Sequence, residues 1–259
     1  MLLNINNLEV QFGGLKAVDK MNLEVAQGEI VGLIGPNGAG KSTLLNAISR
    51  LVSATGSILL DRGMGASVDL LHMTPSKIVQ YGITRTFQHP QVAPELTVGD
   101  NIGLGLFTHV QATWLESALG LPRSQRASRM TREQSQSIAR FLRIDHLLDE
   151  LPAALPYGTL KLVELARAAV GSPVLMVLDE PAAGLNSEEK QVMKRSLLSL
   201  RQEKSLSILI VDHDMEFIFG ISERIYAMSF GKLLASGTAA EIRGNREVQE
   251  SYLGQEDVD

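Results

Sequence analysis

The stretch Gly35-Pro36-Asn37-Gly38-Ala39-Gly40-Lys41-Ser42-Thr43 decides the fold of this chain. It matches the pattern G-x-x-x-x-G-K-[S/T] in full, follows an apolar run at 30–34 and precedes a helix-forming segment at 44–48. Glycines in such a loop turn backbone N–H groups toward a phosphate, and the helix that follows adds its positive N-terminal end. We therefore predict a buried strand, a phosphate-binding loop and a helix, which together bind a nucleoside triphosphate such as ATP.

Two side chains of this loop have separate predicted tasks. Lys41 is expected to reach the β- and γ-phosphates, while the Ser42 hydroxyl is expected to bind Mg²⁺. The other loop residues would surround the phosphates through their backbone: Gly35, Pro36, Asn37, Gly38, Ala39, Gly40 and Thr43. The alternative, a glycine-rich turn without a ligand, is disfavoured because the flanking strand and helix also fit the pattern.

Composition narrows the class of protein. The chain has 259 residues, 44% of them hydrophobic, which is enough for one large α/β domain or two small ones. Its net charge of -5 argues against a broad nucleic-acid surface, and the lack of cysteine excludes disulfides and thiolate metal sites. We find neither a signal-peptide pattern nor ~18 uninterrupted apolar residues, so we expect a soluble chain that reaches a membrane through a partner.

Hydrophobic periodicity predicts an α/β core with an inserted helical region. The predicted strands are 3–10, 18–25, 30–34, 56–60, 83–87, 174–178, 207–211 and a hairpin at 224–236. Helices are predicted at 75–80, at 160–170 and at 187–203, where Ser187 would be the cap. A further helix is predicted at 131–144, where Thr131 and Gln134 would form a capping box. The span 110–129 is predicted to be an irregular connection. Residues 1–97 and 171–259 would form the core and 98–170 a helical subdomain, all within one domain.

Polar residues follow three of the predicted strands, where an α/β sheet meets its ligands. Asp179 ends a buried strand and is predicted to anchor Mg²⁺, with Glu180 next to it as the base that activates water. His213 would contact the γ-phosphate or the water, although a lone histidine there is also a common structural hydrogen-bonder. Gln88 is the weakest candidate from chemistry alone, because a glutamine before His89-Pro90 is most simply a loop residue.

Phe12, in a turn shortly before the phosphate-binding loop, has two possible roles. It could stack on an adenine ring, or it could simply be a core phenylalanine, which is the usual fate of that residue.

The order of these elements resembles the nucleotide-binding subunit of an ATP-binding cassette (ABC) transporter over essentially the whole chain. The resemblance implies a P-loop NTPase fold with an N-terminal antiparallel β subdomain and ATP hydrolysis that depends on Glu180, His213 and Gln88. It implies that Gln88 joins Ser42 and Asp179 at the metal, and that Phe12 and Val18 contact the nucleotide. The segment Leu155-Pro156-Tyr157-Gly158-Thr159 occupies the position of the family's signature sequence.

Two departures from the general ABC pattern point to one branch of the family. Only Leu155 and Gly158 remain of the usual Leu-Ser-Gly-Gly-Gln signature, and Asn186 replaces the usual aspartate of the D-loop. These features, with the stretches 12–18, 179–186 and 252–254, resemble the ATP-binding subunits of importers for branched-chain amino acids and small amides such as urea.

The resemblance also implies partners and a location. Two ATPase subunits, identical or paralogous, would meet head to tail, so that Pro156, Tyr157, Gly158 and Thr159 of one face the ATP of the other. Two transmembrane permease subunits would dock beside Gln88, along 89–101, and work with a substrate-binding protein. The subunit would lie at the cytoplasmic face of the inner membrane without binding nucleic acid. An ABC exporter and a soluble ABC ATPase are the alternatives.

The unusual signature restricts how it could contact a phosphate. Pro156 has no backbone N–H, so we expect the donors to be Gly158, Thr159 and the first N–H groups of the helix they open. We also expect that a β-carbon at position 158 would keep the phosphate of the facing subunit away.

Overall fold

The structure is a computed structural model that describes residues 1–61, 63, 67–107 and 122–253, without the side chains of 122–126 and 253. Its strands are β1 Leu3–Phe12, β2 Leu15–Val25, β3 Ile30–Ile34, β4 Thr55–Leu60, β5 Val68–Asp69, β6 Ile83–Arg85, β7 Leu175–Asp179, β8 Ser207–Val211, β9 Arg224–Ser229 and β10 Lys232–Gly237. Its α-helices are α1 Lys41–Ile48, α2 Pro75–Gln80, α3 Val98–Gly103, α4 Pro122–Phe141, α5 Tyr157–Ala169, α6 Ser187–Lys204, α7 Met215–Phe219, α8 Ala239–Gly244 and α9 Arg246–Leu253.

A six-stranded sheet in the order β10-β9-β3-β8-β7-β6 forms the centre of the molecule. Strand β3 pairs in parallel with β9 on one side and β8 on the other, and β8 continues in parallel to β7 and β7 to β6. The carboxyl ends of these strands therefore lie at one edge, where the phosphate-binding loop follows β3. This topology explains how residues far apart in sequence come to one site.

Both faces of the parallel sheet are covered, so its strands are apolar throughout rather than alternating. All residues of β3, β7 and β8 are buried. In β3, Ile30 and Ile34 pack into a core shared with α5 and α6, whereas Val31 and Leu33 face a second core. That second core is closed by α1 and by the antiparallel sheet β2-β1-β4-β5, which confirms the predicted α/β fold with an antiparallel subdomain.

The central strands and the C-terminal hairpin are confirmed, and three helix predictions need correction. Thr131 lies inside α4, which begins at Pro122, so the predicted capping box with Gln134 is wrong. The part of the predicted irregular connection from 122 onward is helical, and its earlier part lies outside the described residues. Helix α6 is capped by Asn186, not Ser187, because Asn186 and Glu189 exchange side-chain-to-backbone bonds.

The described parts of the region between β6 and β7 consist of helices and connecting loops, with no strand among them. Helices α3, α4 and α5 pack on one another there through buried residues of the first core, among them Ile102, Ala139 and Val163. The exact subdomain boundaries at 97 and 170 stay a prediction. The predicted strand 83–87 ends two residues early, at Arg85, and Gln88 therefore lies in a loop.

Candidate nucleotide site

The phosphate-binding loop has a conformation that only its glycines permit. Gly40 caps α1 with a φ of 100°, and a β-carbon there would lie 2.2 Å from the carbonyl oxygen of Ala17. The Lys41 ammonium is buried and donates to the carbonyl oxygens of Gly35 at 2.6 Å and Pro36 at 2.9 Å. Burial lowers the pKa of Lys41, while the nearby Glu180 and Asp179 carboxylates act in the opposite direction. The loop thus holds a cation where phosphates would arrive.

Asp179, the predicted metal anchor, ends β7 and forms a buried ion pair that the sequence did not reveal. Its Oδ2 atom is 3.0 Å from Nη2 of Arg85, the last residue of the neighbouring strand β6. Arg85 also donates through Nη1 to Oδ1 of Asn46 on α1, at 2.7 Å. The one sequence signal was a cation at the end of a short strand, and nothing local showed that it would meet Asp179.

Glu180, Gln88 and His213 come together, although they follow three different strands. The Nε2 atom of Gln88 donates to Oε2 of Glu180 at 2.9 Å, and Nδ1 of His213 is 3.7 Å from the same oxygen. Glu180 has a φ of 50°, which is uncommon for a residue with a side chain and which frequently marks functional sites. The three candidate catalytic residues thus form one cluster at the carboxyl edge of the sheet.

Asp212, which sequence reasoning passed over, supports the loop that carries His213. Its side chain is almost fully buried and accepts from the backbone N–H of Ala182 at 2.9 Å and of Asp214 at 3.0 Å. Its Oδ1 atom also lies 3.7 Å from His213 Nδ1. Because it binds segments that follow β7 and β8, Asp212 ties the Glu180 loop to the His213 loop.

Three charged residues on one side of α5 hold the backbone of the Gln88 loop. Lys161 donates to the carbonyl oxygen of Gln88 at 2.5 Å and to that of Glu180 at 3.1 Å. Glu164 accepts from the N–H groups of Phe87 and Gln91, each at 3.4 Å, and Arg167 donates to the Gln91 carbonyl. Burial raises the pKa of the Glu164 carboxyl, while the N–H groups and Arg167 act in the opposite direction.

The signature segment forms the start of α5. Pro156 is its N-terminal cap, Tyr157 is 39% exposed, and Thr159 is half-buried. Gly158 is buried, and a β-carbon there would lie 2.3 Å from Oε1 of Glu189 in the same chain. Packing between α5 and α6 thus gives a separate reason for glycine at this position, and the expected approach of a phosphate stays a prediction.

The two residues expected near the adenine differ in exposure. Phe12 ends β1 with 51% of its surface exposed, so its ring is available to a ligand. Val18 is fully buried in the second core, so its side chain presents no surface to a nucleotide. The expected contact from Val18 is therefore not supported through its side chain.

The residues at this edge fit Mg²⁺ by the chemistry of their donors. Ser42 is exposed at the start of α1, and Asp179 and the Gln88 amide add further oxygen atoms. In the described part of the chain, no group of three or more His, Cys, Asp or Glu residues is placed to hold a metal. Mg²⁺ is commonly held by one or two carboxylates together with the phosphates of its substrate.

Among the helices that the structure describes, none is both long and apolar enough to cross a membrane.

Comparison with known proteins agrees with the fold. The family model for ABC transporters matches residues 18–183, more than half of the chain, and a model named "Branched-chain amino acid ATP-binding cassette transporter" matches residues 232–258. The chain is 36% identical over 255 residues to the high-affinity branched-chain amino acid transport ATP-binding protein LivG of Escherichia coli K12, which covers 98% of each chain.

Solved structures give the same result. The crystal structure of the ADP conformation of an ATP-binding cassette of an ABC transporter superposes with a TM-score of 0.83 at 30% identity, covering 98% of this chain and 99% of that one. A cassette solved as a dimer with ADP and phosphate has the same fold, with a TM-score of 0.75 at 22% identity over 92% of this chain and 99% of that one. The chain belongs to the ABC transporter family, as one of its ATP-binding, ATP-hydrolysing subunits.

Proposed function

We propose that this chain energises an ABC importer for branched-chain amino acids or a related small amide. The observation that carries the substrate class is the match of residues 232–258 to the branched-chain family model, together with full-length similarity to LivG. The C-terminal match and the similarity to LivG thus both support an importer.

In the proposed mechanism, the phosphate loop binds ATP and the clustered residues activate water. Lys41 and the loop N–H groups bind the β- and γ-phosphates, and Phe12 stacks on the adenine. Glu180 accepts the proton of the attacking water, while Gln88 and His213 orient its carboxylate. Ser42, Asp179 and Gln88 would hold Mg²⁺, which stabilises the negative charge that develops on the phosphates.

We further propose that catalysis needs two copies of the subunit, or one copy with a paralogous subunit. ABC cassettes function as dimers, and two of the cations near this site, Arg85 and Lys161, already bind protein groups. The start of α5 in the facing subunit would supply N–H groups of Tyr157, Gly158 and Thr159 to the γ-phosphate.

Two permease subunits would dock beside Gln88 at the cytoplasmic face of the membrane and pass on substrate delivered by a binding protein.

The Glu180→Gln substitution tests the catalytic part of this proposal. We expect the variant to bind ATP and to hydrolyse it at least ~100-fold more slowly, because an amide cannot accept the proton of water. Phosphate release would be measured on the full-length chain with its permease partners, and ATP binding by calorimetry. The matched control is Glu203→Gln, which alters an exposed glutamate at the far end of α6. Near-normal hydrolysis by Glu180→Gln would remove Glu180 from this role.

The substrate class requires a separate experiment. Membrane vesicles that contain the ATPase, its permeases and the co-purified binding protein should take up leucine or urea only when ATP is supplied. Uptake of neither, or ATP-driven export from loaded vesicles, would contradict the importer assignment without affecting the ATPase assignment.

A further inference from the structure

Lys161 is a buried charge whose position the reaction described above does not explain. Its side chain lies on α5, close to the start of the helix, and the residue is only 3% exposed. An ammonium removed from water costs several kcal/mol unless it is well hydrogen-bonded. It also lies near the end of a helix that favours negative charge. A cation at such a position needs strong local partners.

Its partners are Glu180, the proposed base, and Gln88, which orients the Glu180 carboxylate in the proposed mechanism. Lys161 donates to the main-chain carbonyl oxygens of Gln88 and Glu180, and the Gln88 side chain donates to the Glu180 carboxylate. The three residues therefore form a closed ring of hydrogen bonds. Two bonds of the ring fix main chains, and the third fixes the carboxylate.

The ring also bears on the unusual backbone of Glu180. A residue with a side chain at positive φ is strained and persists only when its surroundings hold it there. The Glu180 N–H donates to Val211 at 2.8 Å, and its carbonyl accepts from Lys161 and from Ala183 at 3.2 Å. Lys161 thus provides a bond from a side chain of the helical region to the Glu180 backbone.

We propose that Lys161 is a positioning residue for ATP hydrolysis. It holds the Glu180 carboxylate through the ring of hydrogen bonds with Gln88, so that the orientation of this carboxylate depends on the position of α5. Movement of α5 relative to the sheet would break the ring and misdirect Glu180. The inference rests on the proposed role of Glu180 as the base. It predicts that Lys161 affects turnover and not ATP binding.

The test compares substitutions at Lys161 in the full-length chain with its permease partners. Lys161→Met keeps the aliphatic stem but removes the donors, and we expect kcat to fall on the order of 10- to 100-fold with KM for ATP within about twofold. Lys161→Arg keeps a cationic donor and should retain kcat within about threefold. Lys77→Met, at an exposed position on α2, is the control and should leave both constants unchanged.

A double substitution separates positioning from a merely structural role. If Lys161 and Gln88 act as one ring, Lys161→Met combined with Gln88→Ala should lower kcat no further than the more damaging single change. If the losses in kcat of the two single variants multiply in the double variant, Lys161 and Gln88 act independently and the proposed ring is wrong. A Met variant with a lower melting temperature but normal kcat, or with only a raised KM, would overturn the proposal.

Two further comparisons between variants show which proposal fails if the expected result is not obtained. If Lys161→Met does not fold, Lys161→Gln takes its place under the same criteria. If Glu180→Gln keeps normal activity, the base assignment itself fails; if Glu180→Gln is inactive and Lys161→Met is normal, only the present inference fails.

Discussion

At the scale of single residues, the site is organised by charges that are buried and paired. The ion pair of Arg85 and Asp179 leaves only 8% and 11% of the two side chains exposed, and Arg85 also binds Asn46 on α1. One guanidinium therefore connects strand β6, the carboxylate that ends β7 and the helix after the phosphate loop. Removing one partner of a buried pair leaves an uncompensated charge, which costs more than the pair itself contributes.

We predict that Arg85→Met lowers the free energy of unfolding by roughly 3–5 kcal/mol, because Asp179 stays buried without its partner. Urea denaturation without nucleotide would measure the change. The double variant Arg85→Met with Asp179→Asn should recover part of the loss, since the unpaired charge is gone. Arg129→Met breaks an exposed pair with Glu133 and serves as the control, with a much smaller change. An equally small change for Arg85→Met would mean that water reaches Asp179.

At the scale of elements, the start of α5 and the start of α6 share one contact. Glu189 completes the capping box of α6 through Oε2, which accepts from the Asn186 N–H at 2.9 Å. Its other oxygen, Oε1, occupies the space where Gly158 would have a β-carbon. The end of the D-loop segment and the signature segment therefore pack directly on each other within one subunit.

We predict that Gly158→Ala destabilises the protein by about 1 kcal/mol or more, because Glu189 must leave its capping position to make room. Gly244→Ala is the matched control: a β-carbon there meets nothing within 4 Å, so we expect a change near zero or slightly stabilising. Thermal unfolding of both variants measures the difference. Equal stability of the two variants would show that Glu189 moves aside at no cost.

At the scale of the whole molecule, the proposed dimer requires that each subunit contribute to two different sites. The phosphate loop and Glu180 lie at the carboxyl edge of the sheet, whereas the signature segment begins a helix of the inserted region. In the proposed dimer, each ATP contacts the first half of one copy and the second half of the other. Hydrolysis should then depend on association.

We predict that the specific ATPase activity of the purified chain rises with protein concentration through the range in which it dimerises. Phosphate release and sedimentation velocity, measured on the same samples, would test this relation. Glu180→Gln should shift sedimentation further toward dimer in ATP, since the product that releases the subunits is not formed. Full activity at concentrations where only monomer sediments would contradict a composite site.

The sequence alone determined those features of the protein that depend on consecutive residues. Nine adjacent positions define the phosphate loop, and an unbroken apolar run before Asp179 predicts a strand buried on both faces. Because parallel strands end at a common edge, even the grouping of Gln88, Glu180 and His213 could be anticipated. Helix starts were less predictable: Thr131 fits a capping pattern, yet α4 begins nine residues earlier, at Pro122.

Only the tertiary structure decided which side chains hold these groups in place. Arg85 meets Asp179 across 94 positions of the sequence, and Lys161 meets the Gln88 carbonyl across 73. The contact of Glu189 with Gly158 likewise depends on how two helices approach each other. Local patterns encode which face of a strand or helix is buried, but not which distant segment covers it. A buried charge finds its partner only when the packed elements bring the two together.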